Sequence, residues 1–171
     1  MTVAWAGRFL EVRCEGRWEY AARARNIGAA VILALTDAHE IVLVEQYRIP
    51  LGAHTIELPA GLIGDGGAPE PAATAAAREL QEETGFAASG WEDCGVFATS
   101  PGMSNETFTL FRATGLTRTG PGGGVDNEDI AVHVVALATL PAWLAAQRAA
   151  GRVIDCRLVA ALGLVDAVRS A

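Results

Sequence analysis

Two apolar runs constrain this chain more than any other feature: GAAVILAL over 28–35 and IVLVEQY over 41–47, separated by the turn Thr36-Asp37-Ala38-His39. Each has the length of a strand and neither alternates, so each must be covered on both faces. A sheet buried on two sides needs helices on both, and the rest of the sequence supplies them. Pro69-Glu70-Pro71 opens a helix that runs to about Thr84 and stops at Gly85, with Ala73, Ala76, Ala77 and Leu80 predicted to face the core. Two further helices are expected over about 139–150 and 155–169. Strands are predicted over 17–24, paired with 5–14 around Glu15-Gly16, and over 55–58, 91–98, 106–113 and 130–137. The glycines and Asp65 of 61–67 mark a loop, and Thr119 to Gly124 reads as a mobile one. The fold class is therefore α+β, a mixed sheet flanked by helices. It forms one domain over 27–171, and the strand segment 1–26 is too short to stand as a second.

Charge narrows the function. Thirteen basic residues, every one an arginine, face twenty acidic ones, for a net charge of −7. That balance argues against nucleic acid as a partner. The absence of lysine excludes Schiff-base chemistry and the lysine of the common phosphate loop. Phosphate contacts must come from arginine, backbone amides or a metal ion. No apolar run is long enough to span a bilayer, and Arg8 and Glu11 interrupt any would-be signal peptide. Cys14, Cys94 and Cys156 are scattered, as are His39, His54 and His133, which suits a reducing cytoplasm and gives no zinc-ligand spacing.

Six of the twenty acids fall between Glu57 and Glu83. Glu79, Glu82 and Glu83 occupy i, i+3 and i+4, so a helix puts them on one face, where they repel. Arg78 can reach back to Glu82 or Glu70. On composition alone this is a solvated acidic face. Two features weigh against that: the carboxylates crowd the end of the helix that the macrodipole disfavours for acids, and a glycine-rich loop precedes them. Clustered carboxylates with a backbone carbonyl make a hard-oxygen site for Mg²⁺ or Mn²⁺.

Gly64, Glu70 and Arg78-Glu79-Leu80-Gln81-Glu82-Glu83-Thr84-Gly85-Phe86 resemble, at every fixed position, the box of the Nudix hydrolases, which cleave nucleoside diphosphates linked to another moiety. The resemblance implies an α/β/α sandwich. It also implies Mg²⁺, with Mn²⁺ as an equivalent ion, on Glu79 and Glu83, with Glu82 as a further, catalytic ligand and Arg78 and Glu70 orienting the cluster. Glu57-Leu58-Pro59-Ala60-Gly61-Leu62-Ile63 is similar to the stretch before the box in ADP-ribose and sugar-nucleotide pyrophosphatases, where the alanine carbonyl, here Ala60, completes the metal shell. In most relatives that glycine is itself the first box residue, whereas Gly61 precedes Gly64 by three, so the loop is longer here.

Pro101, fifteen residues after Phe86, and Ser100-Pro101-Gly102-Met103-Ser104-Asn105-Glu106 resemble a segment of the ADP-ribose hydrolysers. So does Arg17-Trp18-Glu19-Tyr20 with Arg23. By that resemblance Trp18 stacks on the base, Glu19 accepts from an exocyclic amine, Arg23 and Arg48 clamp phosphate, and Pro101 and Met103 contact substrate. The N-terminal strands of such relatives are exchanged between subunits, which implies a homodimer. Glu128, with Asp129 as its rival, lies where relatives carry the base, on a loop whose glycines suggest mobility. The implied reaction is hydrolysis of a small nucleotide sugar, ADP-ribose, to AMP and ribose 5-phosphate. GDP-mannose cleavage and a non-catalytic nucleotide-sensing module are the alternatives.

Overall fold

The computed structural model describes residues 1–25, 27–64, 68, 70–125 and 128–169, and for 164–169 the backbone only. The expected N-terminal hairpin is present, with one strand more. β1 (Thr2–Ala6), β2 (Leu10–Glu15) and β3 (Trp18–Arg23) form an antiparallel three-stranded sheet. It meets the body of the protein at Ala21, whose N–H donates to the Met103 carbonyl (2.9 Å) and whose carbonyl accepts from the Asn105 N–H (3.2 Å).

The second sheet is built from β4 (Ala29–Leu35), β5 (Glu40–Arg48), β6 (Ala53–Glu57), β7 (Ala60–Leu62), β8 (Phe86–Ala98), β9 (Thr107–Arg118), β10 (Ala131–Ala136) and β11 (Val153–Ile154). Its order is β11-β6-β5-β4-β9-β8, with β10 added to β5 and β7 to β4. The β4–β9 and β6–β11 pairs are parallel and the others antiparallel, so the sheet is mixed, as expected.

β4 explains the layering. Val31 and Leu33 pack with Leu140 and Leu144 of α2 (Leu140–Ala149, numbered after the box helix α1, Ala72–Thr84) and with Leu158 of α3 (Cys156–Arg169). Ala30, Ile32 and Ala34 face the other way, onto Ala75, Ala76 and Leu80 of α1. Each large aliphatic side chain so buried contributes roughly 1.5–3 kcal/mol.

Three readings need correction. The buried stripe of α1 is Ala75, Ala76, Leu80, Glu83 and Thr84, while Ala73 and Ala77 are exposed. An unbroken alanine run has no polar face to set its phase, and tertiary packing chose it. β8 begins at Phe86 and β9 extends to Arg118, because their antiparallel pairing continues past the apolar stretches into half-exposed residues. Residues 61 and 62, expected to open a loop, instead pair with β4 as the end of β7, since the backbone edge of β4 offers them partners. Residues 119–124 form the expected loop, four of whose amides are hydrogen-bonded to the end of α1. Asp65 and Pro69 lie outside the described residues.

Two features place the site. β7 lies against β4, with Ala60 opposite Val31 and the Ile32 N–H donating to the Pro59 carbonyl (2.8 Å), so the 60–62 backbone runs beside α1. α1 then stops on Gly85, whose positive φ of 73° suits the glycine that closes a helix.

Candidate active site

The box helix carries its carboxylates in three different environments. Glu83 faces inward, 5% exposed. Its Oε2 accepts the Ala60 N–H at 3.0 Å. Burial, and then the nearby charges of Glu79 and Glu128, outweigh that hydrogen bond and push its pKa up to about 8. Glu79 lies against the Gly61 backbone. A Cβ built at Gly61 would fall 1.9 Å from the Glu79 carboxyl carbon, so a side chain there would displace the carboxylate from this position. Burial also raises the Glu79 pKa, against the pull of Arg78. Glu82 is half-buried and turned to Arg78.

Arg78 lies among the carboxylates of the box. Its Nη1 lies 2.9 Å from both Glu79 Oε1 and Glu82 Oε2, and its Nη2 is 3.1 Å from Glu70 Oε1. The same Glu70 oxygen accepts the Gly64 N–H at 2.9 Å. The arginine thus ties the start of the box to its end. Among the described residues no three acidic or histidine side chains already converge as ligands of one ion. The donor set still fits a hard divalent cation. It is all oxygen, and it crowds like charge into a buried corner.

These residues open onto a cleft of about 840 Å³. Ala60, Glu79, Glu83 and Glu128 line it, together with Arg23, Arg48 and Arg157, so acidic and basic groups share one space. Asp129 does not line it. Neither arginine expected to clamp phosphate meets the cleft with an unoccupied fork. Arg48 donates through Nε and Nη2 to the two oxygens of Glu57 (2.7 and 2.8 Å). Arg23 donates through Nε to Glu106 Oε1 (2.9 Å). In each case a carboxylate fixes the guanidinium.

Trp18 and Pro101 meet in an adjoining pocket of about 430 Å³, which shares Glu106 with the cleft. Trp18 is exposed there. Arg78, Glu82, Glu19 and Met103 line neither cavity, although the Met103 carbonyl anchors Ala21.

Sequence reasoning missed Asp155 and Arg157. Arg157 donates to Asp155 Oδ2 (2.7 Å) and to Glu57 Oε2 (2.9 Å), so the buried Glu57 sits between Arg48 and Arg157. No local pattern joins residues a hundred positions apart. The available signal was an Asp-Cys-Arg start to the apolar stretch 158–165.

A mixed sheet between helix layers, with a carboxylate-bearing helix beside a short strand, defines the class. Residues 25–154 match the NUDIX domain model, and the chain belongs to the Nudix family. It is 40% identical over 105 residues to the methanol dehydrogenase activator of Bacillus methanolicus, covering 61% of this chain and 55% of that protein. It is 43% identical over 95 residues to the ADP-ribose pyrophosphatase of Mycobacterium tuberculosis, covering 56% of this chain and 45% of that protein. The chain thus spans about half the length of the curated relatives it matches. A solved structure described as an ADP compounds hydrolase shares the fold, with a TM-score of 0.67 at 22% identity over 84% of this chain and 79% of that one.

Proposed function

We propose that this chain hydrolyses the diphosphate bond of ADP-ribose to AMP and ribose 5-phosphate, with Mg²⁺ or Mn²⁺. One observation carries the reading: Glu79, Glu83 and Glu128 share a single cleft with Arg23, Arg48 and Arg157, beside a pocket walled by Trp18 and Pro101. The cleft suits a diphosphate and the pocket a purine. The ADP-ribose pyrophosphatase similar to this chain supports the choice of substrate.

Glu79, Glu82, Glu83 and the Ala60 carbonyl would hold the ion, which supplies phosphate polarisation and a lowered pKa for bound water. Arg78, bonded to Glu70, Glu79 and Glu82, keeps those carboxylates gathered. Glu128 takes a proton from the attacking water. The water oxygen bonds to phosphorus while the bond to the bridging oxygen breaks, and the departing phosphate keeps the electron pair. Arg23 and Arg48, held by Glu106 and Glu57, offset the charge that gathers on the phosphate oxygens. Trp18 stacks on the adenine and Pro101 borders it, whereas Glu19 and Met103, which line neither cavity, are given no contact with the nucleotide.

The N-terminal segment 1–26 acts with the 27–171 domain rather than alone. Exposed Val3, Trp5, Phe9 and Leu10 on that segment favour a homodimer. Free Cys14, Cys94 and Cys156 favour a reducing cytoplasm, and among the described residues no helix is long and apolar enough to cross a membrane.

The test is product release with Mg²⁺ from ADP-ribose, GDP-mannose, ADP-glucose, NADH and 8-oxo-dGTP. AMP release from ADP-ribose should be fastest and should be lost with EDTA, and with Glu82→Gln or Glu83→Gln. Unchanged turnover in both variants would sink the site. Faster cleavage of GDP-mannose would move the substrate assignment there.

A further inference from the structure

We propose that Gly122, Gly123 and Gly124 are positioning residues. They form a strap that fixes the loop bearing Glu128 to the C-terminal end of α1. The inference rests on the reading of Glu128 as the base.

The last carbonyls of a helix have no partner within it. Here loop amides supply them: the Gly123 N–H donates to the Glu83 carbonyl (2.8 Å) and the Gly124 N–H to the Glu82 carbonyl (3.0 Å). The Thr119 and Gly120 amides add bonds to the Gly85 carbonyl (2.8 and 3.1 Å). The strap thus grips the backbone of the two residues whose carboxylates end the box. Beyond it, the Val125 N–H donates to Glu128 Oε2 (3.0 Å) and the Glu128 N–H to the Val125 carbonyl (3.1 Å). The helix end, the strap and Glu128 are therefore one hydrogen-bonded unit. Donors aimed at the negative end of the helix also oppose its dipole where three carboxylates stand.

Only glycine permits this approach. Gly122, Gly123 and Gly124 have φ of 70°, 107° and 86°. A Cβ at Gly122 would lie 2.4 Å from the Thr84 carbonyl carbon and 2.8 Å from the Glu83 carbonyl oxygen, both backbone atoms that cannot swing aside. A Cβ at Gly124 would lie 2.6 Å from Glu128 Cβ and 2.5 Å from its Oε2. At Gly120, in the same loop, an added Cβ meets nothing within 4 Å.

The experiment compares Gly120→Ala, Gly122→Ala and Gly124→Ala in the full chain with saturating Mg²⁺. Gly122→Ala and Gly124→Ala should each lower kcat about tenfold or more with KM within about threefold, while Gly120→Ala stays within twofold of wild type. If Gly122→Ala fails to fold, Gly124→Ala, whose added methyl meets side-chain atoms, carries the comparison. Gly122→Ala should add little to the loss in Glu128→Gln, because both act through one group. Equal kinetics in the three alanine variants, or fully additive losses, would overturn the strap. Amide exchange separates this from failure of the base reading. Gly123 and Gly124 amides protected like those of α1 support the strap even if Glu128→Gln proves active. Exchange at open-loop rates overturns it whatever Glu128 does.

Discussion

The Ala60 amide donates to the Glu83 carboxylate across 3.0 Å, joining β7 to α1 at the residue whose charge is hardest to bury. An amide side chain can accept the same bond without the charge. Glu83→Gln should therefore keep the fold and lose hydrolysis by about two orders of magnitude. Because Glu83 must take up a proton or bury its charge beside Glu79 and Glu128 on folding, Glu83→Gln should also raise the Tm of EDTA-treated protein at neutral pH by about 2–4 °C. Paired melting and turnover assays check both halves, and a lower Tm would contradict the electrostatic account.

Arg78 holds Glu70, Glu79 and Glu82 through two nitrogens. A lysine keeps the charge but lacks the fork. Arg78→Lys should lower kcat about tenfold or more while costing at most about 1 kcal/mol in urea unfolding, since the side chain is part-exposed. Wild-type turnover in Arg78→Lys would reduce the residue to a charge balance.

Trp18 stands exposed in the pocket beside the cleft. Loss of a base stack is worth about 1–3 kcal/mol, so Trp18→Ala should raise KM for ADP-ribose about tenfold with little change in kcat. Trp18→Phe should recover most of the affinity. A drop confined to kcat would place the base elsewhere.

Glu45, on β5 away from the cleft, gives the pH response of the fold. Burial opposes its charge, but hydrogen bonds from Arg152 (2.8 Å) and His133 (3.0 Å) prevail and hold its carboxyl below the ordinary 4.5. A depressed folded pKa contributes stability that is present above the unfolded value and lost as pH falls through the folded one. Wild-type Tm should drop below about pH 4.5, and Glu45→Gln should be less stable at pH 7 by about 1–3 kcal/mol, with a shallower acid limb. Parallel acid limbs in the two proteins would refute this.

Much of the site was legible because it is local. Glu70, Arg78, Glu79, Glu82 and Glu83 lie in one short segment, and the helix alone keeps Glu79 and Glu82 within reach of Arg78. The runs at 28–35 and 41–47 announced a sheet covered on both faces for the same reason: continuous apolarity has few other uses at that length. The phase of α1 was not legible, since Ala73, Ala75, Ala76 and Ala77 are chemically alike and only the shape of the sheet selects among them. The hydrogen bonds of the glycines at 122–124 to the end of α1 were not legible, because a glycine needed for close backbone approach and one that gives freedom look identical until the partner backbone is in place.

By itself, then, the sequence determined the two central strands, the three helices and the carboxylates of the box helix with their arginine, but not β1, β7 or β11. Each is set by spacing within a few turns of chain. Tertiary structure decided the rest: that Arg48 and Arg157 flank Glu57, that Arg23 grips Glu106, and that the Glu128 loop is tied to Glu82 and Glu83. Those partners are far apart along the chain, and only sheet order and helix packing bring them within hydrogen-bonding distance.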